Sequence, residues 1–125
     1  METLEIQEGK YTPEVIMRDG YISIKGNSYP SNTETFYKPI IGWINKYVNN
    51  APELTEIHLK FEHMDSPTVK SVYEILKHFK VLNGNGSTKA KAEIIWYHDR
   101  RDDETLDKGM LISEHLKLPF KFVQY

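Results

Sequence analysis

Two short stretches of the 125-residue chain hold the side chains best suited to chemistry, Asp65-Ser66-Pro67-Thr68 and His98-Asp99-Arg100-Arg101. Ser66 stands directly before a proline, and the pair has two compatible readings. In one, Ser66 is a helix N-cap whose hydroxyl accepts a backbone N–H, with Pro67 as the first helical residue. In the other, the same hydroxyl accepts a phosphate, whose charge of about −1.5 to −2 is favoured beside the free N–H groups of a helix start. Arg100 and Arg101 divide in the same way. They are either part of a solvated loop of mixed charge or a docking and phosphate-sensing surface, since a guanidinium matches phosphate oxygens bidentately.

An enzymatic alternative uses the same residues. Asp65, Ser66 and His98 supply the parts of a nucleophilic triad, and a small serine hydrolase would use Ser66, His98 and Asp99. Against it, the Gly-x-Ser-x-Gly elbow that exposes a nucleophile is absent. No two of His58, His63, His78, His98 and His115 stand four apart with an acidic ligand in register, so no metal is expected. The chain has no cysteine, which excludes thiol catalysis. Asn83-Gly84-Asn85-Gly86-Ser87 lacks the Lys-Ser/Thr ending of a phosphate cradle and follows a helix rather than a strand. It reads as a mobile connector, and no cofactor is expected.

The elements that must position these residues follow from periodicity. Glu14 to Arg18 and Tyr21 to Lys25 read as strands joined by the hairpin signal Asp19-Gly20. The capping box Ser31-Asn32-Thr33-Glu34 starts a first helix, in which Phe36, Ile40, Ile44, Tyr47 and Val48 recur at helical spacing. Ile57, Leu59 and Phe61 alternate with polar residues in a strand from Glu56 to Glu62. A second helix opens at Ser66-Pro67, carried by Val69, Val72, Tyr73, Leu76 and Phe79. In the next strand, Ala92 to Tyr97, the consecutive Ile94, Ile95 and Trp96 predict cover on both faces. A weaker helix from Asp103 to His115 and a last strand from Phe120 to Val123 complete the chain.

Strands alternating with helices predict right-handed β-α-β crossovers between parallel strands. The fold class is therefore α/β: a single domain over residues 1–125, with a mixed sheet of five or six strands, an N-terminal antiparallel hairpin and three helices. In that topology functional groups gather beyond the carboxyl ends of the strands. Ser66 and the His98 to Arg101 segment are thus expected on one edge of the sheet.

Composition narrows the partners. The net charge of −2, with acids and bases interspersed, lacks the basic excess of a general nucleic-acid binder. With 39% hydrophobic and 27% charged residues, the chain fits an ordinary globule. No stretch reaches the ~18 to 20 apolar residues of a membrane span. Met1-Glu2-Thr3-Leu4-Glu5 is acidic where a signal peptide carries positive charge. The expected compartment is the cytoplasm.

Gly26-Asn27-Ser28-Tyr29-Pro30, Asp65-Ser66-Pro67-Thr68, Trp96-Tyr97-His98-Asp99-Arg100-Arg101 and the ending Leu118-Pro119-Phe120-Lys121-Phe122 carry a family likeness over nearly the whole chain. Together they resemble the SiaC family of bacterial regulatory phosphoproteins, which act in a partner-switching system controlling biofilm formation and aggregation. The resemblance implies a non-enzymatic protein, phosphorylated by a dedicated kinase and dephosphorylated by a PP2C-type phosphatase. Its unphosphorylated form would bind and activate a diguanylate cyclase in cyclic-di-GMP signalling. The family's phosphoacceptor falls on Ser66. The family motif Asn-Thr-Ser-Ser is here Asp65-Ser66-Pro67-Thr68, which keeps the hydroxyl, adds a negative charge beside it and makes Thr68 a second candidate. Tyr29, Asp65, Pro67, His98, Asp99, Arg100 and Arg101 form the expected partner and phosphate-sensing surface. The same logic resembles the anti-sigma factor antagonists, an alternative that differs only in the partner.

Overall fold

A computed structural model describes residues 1–84 and 89–125. Three strands come first, β1 (Leu4–Ile6), β2 (Glu14–Arg18) and β3 (Tyr21–Ser28). Helix and strand then alternate: α1 (Thr33–Tyr47), β4 (Leu54–Met64), α2 (Ser66–Gly84), β5 (Lys91–His98), α3 (Asp103–Leu116) and β6 (Phe120–Gln124). The six strands form one sheet in sequence order, the first two pairings antiparallel and the last three parallel. The expected hairpin and three crossovers are all present. β1 carries no alternation long enough to read from sequence, and it forms because β2 offers a free edge, with Glu5 opposite Ile16. Of the connector Asn83 to Ser87, residues Asn85, Gly86 and Ser87 lie outside the described residues.

Each crossover steps one place in the same direction, so right-handed connections set all three helices on one face of the sheet. Tyr47 of α1 reaches Thr55 of β4 through a 2.7 Å hydroxyl contact, and its ring lies 6.3 Å from that of Phe79 in α2. Trp96 of β5 donates its indole N–H to Thr105 O of α3 at 3.1 Å. The core therefore sits between the helices and the strand positions Ile22, Ile24, Ile57, Leu59, Phe61, Ile94 and Trp96, all buried. Ile94, Ile95 and Trp96 are all buried, as expected of a strand covered on both faces, but the helices supply the cover only on the Ile94 and Trp96 side. Ile95 is buried on the face that points away from the helical core.

The open face carries a ladder of rings and cations. The Arg18 guanidinium lies 4.6 Å from the Tyr21 ring, Tyr21 is 5.3 Å from His58, and His58 stacks 5.8 Å from Tyr97. Lys60 Nζ sits 4.3 Å over Tyr125. His58 is held between Tyr97 Oη at 2.8 Å and Glu56 Oε1 at 3.0 Å. A correction concerns the start of α1. Asn32, not Ser31, is the cap, with Oδ1 accepting the N–H of Thr35 at 3.0 Å.

Candidate functional site

The junction of β4 and α2 is built from β3. Ser28 O, at the end of β3, accepts the N–H of Asp65 at 3.2 Å and fixes where β4 stops. Asp65 Oδ1 then accepts the N–H of Thr68 at 3.0 Å, and Asp65 O accepts that of Val69 at 3.1 Å. Asp65 is the N-cap, Ser66 the first helical residue and Pro67 the second, which corrects the assignment of the cap to Ser66. Aspartate and serine are comparable caps, and the carboxylate adds a favourable charge at the positive end of the helix. Ser66 is left exposed, and its hydroxyl has no hydrogen-bond partner among the described residues.

Thr68 points the other way, into a buried relay that sequence reasoning missed. Its hydroxyl donates to Ser28 O at 2.9 Å. Having spent its one proton, Thr68 Oγ1 must accept from Ser28 Oγ, also at 2.9 Å. Ser28 Oγ must then accept from the Tyr37 hydroxyl at 2.6 Å. Ser28, Tyr37 and Thr68 are all fully buried, so the ends of β3, α1 and α2 are tied by one ordered chain of protons. Burial pushes the Tyr37 phenol up to about 12, which keeps it a donor. The only sequence signal was three hydroxyls near strand and helix ends, with nothing to say that they meet.

β4 and β5 are parallel neighbours, so the His98 to Arg101 turn lies on the same sheet edge as Ser66, as the topology predicts. Two of its side chains, those of Asp99 and Arg101, are already engaged with each other. The Arg101 guanidinium donates to both Asp99 oxygens, at 3.2 and 3.0 Å, and its backbone N–H to Oδ1 at 2.9 Å. These bonds hold the Asp99 carboxyl down at about 2. Arg100 donates its backbone N–H to Tyr125 O at 3.0 Å, leaving its side chain exposed. His98 is buried. No hydrogen bond among the described residues links Ser66, His98 and Asp99, so the parts of a hydrolytic relay are not assembled.

The helix start separates two surfaces. On the α3 side, Tyr29, His63, Asp65, Asp102 and Lys108 line a hollow of about 310 Å³. Lys108, which sequence reasoning did not single out, donates to Met64 O at 2.7 Å there. A neighbouring hollow of about 470 Å³ joins His63 to Asp99 and Arg101. On the α1 side, Ser66 and Pro67 open a groove of about 790 Å³ between α1 and α2. One wall is Thr33, Glu34, Tyr37, Lys38 and Ile41; the other continues through Lys70, Ser71 and Glu74. Asp65 and Tyr29 thus share a hollow with the α3 side, while Ser66 and Pro67 face α1. Among the described residues no three His, Asp or Glu side chains could hold a metal ion together, and no helix is long and apolar enough to cross a membrane.

Known proteins agree with this architecture. The apo-SiaC crystal structure from Pseudomonas aeruginosa superposes with a TM-score of 0.83 at 21% identity, over 99% of this chain and 98% of that one. The SiaC structure from the same organism in complex with the diguanylate cyclase SiaD, whose activator it is, gives 0.85 at 21% identity over 98% and 99%. Similarity this distant speaks for the fold. An uncharacterized protein of P. aeruginosa strain UCBPP-PA14 is 22% identical over 122 residues, 96% of this chain and 94% of its own length. The model of the SiaC family regulatory phosphoproteins matches residues 6–125, and the chain belongs to that family.

Proposed function

We propose that this protein is a non-enzymatic cytoplasmic switch whose unphosphorylated form binds and activates a diguanylate cyclase, and whose phosphoacceptor is Ser66. A cognate kinase adds the phosphate and a PP2C-type phosphatase removes it. The observation that carries the reading is the division of labour in Asp65-Ser66-Pro67-Thr68. Asp65 caps the helix and Thr68 is buried in the relay, while the Ser66 hydroxyl is exposed and unpartnered among the described residues. SiaC of P. aeruginosa, which shares the fold, is the activator of a diguanylate cyclase. The partner surface takes in Pro67, Asp65, Tyr29 and the exposed Arg100, while Asp99 and Arg101 shape its rim and His98 packs behind it.

A partner seated on this helix start would have to desolvate a phosphate on Ser66. An uncompensated buried charge costs a few kcal/mol, and each ~1.4 kcal/mol is tenfold in affinity, so a loss of roughly 100-fold is within reach. The test is phosphosite mapping by mass spectrometry together with the affinity of wild type, Ser66→Ala and Ser66→Asp for the cognate cyclase. Ser66→Ala should bind like the unmodified protein. Ser66→Asp should weaken binding partially, because Asp65 already supplies negative charge there. Phosphate found only elsewhere, or a folded Ser66→Ala that does not bind, would reduce Ser66 to a surface residue.

A further inference from the structure

The phosphate-sensing role expected of the β5–α3 turn is poorly served there. Arg101 is committed to Asp99, and Ser66 lines neither of the hollows beside that turn. Ser66 opens instead into the α1–α2 groove, with two lysines on its walls. α1 and α2 both run back between parallel strands from the same sheet edge, so their turns face each other in order. Thr33, Glu34, Tyr37, Lys38 and Ile41 line the groove from α1, and Ser66, Pro67, Lys70, Ser71 and Glu74 line it from α2. Lys70 is four residues beyond Ser66 and shares its helix face. Lys38 and Lys70 are exposed, and neither has a carboxylate within 4.0 Å among the described residues, because Glu74 pairs with Lys77 and Glu34 with no cation.

We infer that a phosphate on Ser66 is gripped from inside the α1–α2 groove, by Lys70 of its own helix and Lys38 across the gap. The inference rests on Ser66 as the phosphoacceptor and names how its modification is read. Two unpaired cations in the groove that Ser66 opens, one of them a helical turn beyond it, make a dianion receptor, and lysine side chains are long enough to close over the groove mouth. The modification then removes three things from a partner at once: the hydroxyl surface, the groove and both cations. Glu34, on the α1 wall of the same groove, and Asp65, which precedes Ser66 in the chain, oppose the phosphate and bias it towards the lysines. Glu74, farther along α2, is drawn to Lys77, and neutral Tyr37 belongs to the α1 wall.

The test places phosphoserine at position 66 by genetic encoding and follows the phosphorus NMR shift with pH. A free phosphoserine loses its second proton near pH ~6. In the folded protein the midpoint should lie roughly half a unit to one unit below that of the same protein in urea, because nearby cations favour the dianion. Lys70→Met and Lys38→Met should each give back part of the shift, and the double variant most of it. Arg100→Gln should leave it unchanged. Circular dichroism verifies that these exposed substitutions leave the fold intact. A midpoint equal to the unfolded reference overturns the inference, as does one that follows Arg100→Gln and ignores both lysines. Because the phosphate is installed, this result is independent of whether a kinase uses Ser66, which mass spectrometry reads separately.

Discussion

Whether α2 is capped by Asp65 or by Ser66 decides what the serine hydroxyl is free to do. Local sequence places the helix start to within one residue, but two adjacent residues of equal capping strength cannot be ranked locally. The choice is made by Ser28 O, which captures the Asp65 N–H from another strand. The hydroxyl relay was illegible for the same reason: Ser28, Tyr37 and Thr68 meet only once three elements have packed. The relay carries a pH signature. The Tyr37 phenol is raised from 10.0 to about 12 in the fold, so its contribution to stability is fully present below pH ~10. As pH rises from there towards about 12, the unfolded chain loses this proton first and the contribution is lost. At about 1.4 kcal/mol per pKa unit, the loss approaches roughly 2 to 3 kcal/mol. Urea midpoints of wild type and Tyr37→Phe, compared at pH ~9 and ~11, should converge as pH rises. Parallel lines would mean that the phenol is not held neutral by burial.

At the scale of elements, the period-2 and period-3.6 patterns placed the strands and helices, because each buries one face against the same core. β4 was placed as Glu56 to Glu62 and runs from Leu54 to Met64; α1 ends at Tyr47 and passes into a short 3₁₀ turn, Val48–Asn50. The weakest pattern belonged to α3, whose seating depends on one residue that periodicity does not mark. A Cβ on Gly109 would stand 2.5 Å from the Trp96 indole, so the helix approaches β5 as closely as its backbone allows. That approach lets Trp96 reach Thr105 O and sets where Lys108 enters the hollow beside Asp65. In an exposed helix Gly→Ala gains up to ~1 kcal/mol. Here Gly109→Ala should instead destabilise by roughly 1 to 3 kcal/mol, since either the indole or the helix must move. Thermal melts should show a lower Tm for Gly109→Ala and a higher one for Gly42→Ala, where a Cβ meets nothing within 4 Å. A stabilised Gly109→Ala protein would mean that α3 does not lean on Trp96.

For the molecule as a whole, the decisive fact is that three crossovers in one direction leave the sheet covered on one side. Sequence alone did not reveal this, because Ile94, Ile95 and Trp96 in a row imitate a strand with helices on both faces. The imitation has a physical cause. Ile95 is buried on the open face too, in register with His58 on β4 and Lys121 on β6. The two faces should therefore answer differently to the same substitution, and adjacent residues of β4 give a direct comparison. Leu59 is fully buried against the helices, whereas Lys60 lies on the open face over Tyr125. Leu59→Ala removes a core side chain and leaves a cavity, at a cost of roughly 2 to 5 kcal/mol. Lys60→Ala gives up a half-buried cation–ring contact worth about 0.5 to 1 kcal/mol. Urea unfolding should return a large midpoint shift for the first and a small one for the second, with the same slope and no dependence on protein concentration. If Lys60→Ala costs as much as Leu59→Ala, or its cost grows with concentration, the ladder is packed against a second copy and the sheet is not one-sided in solution.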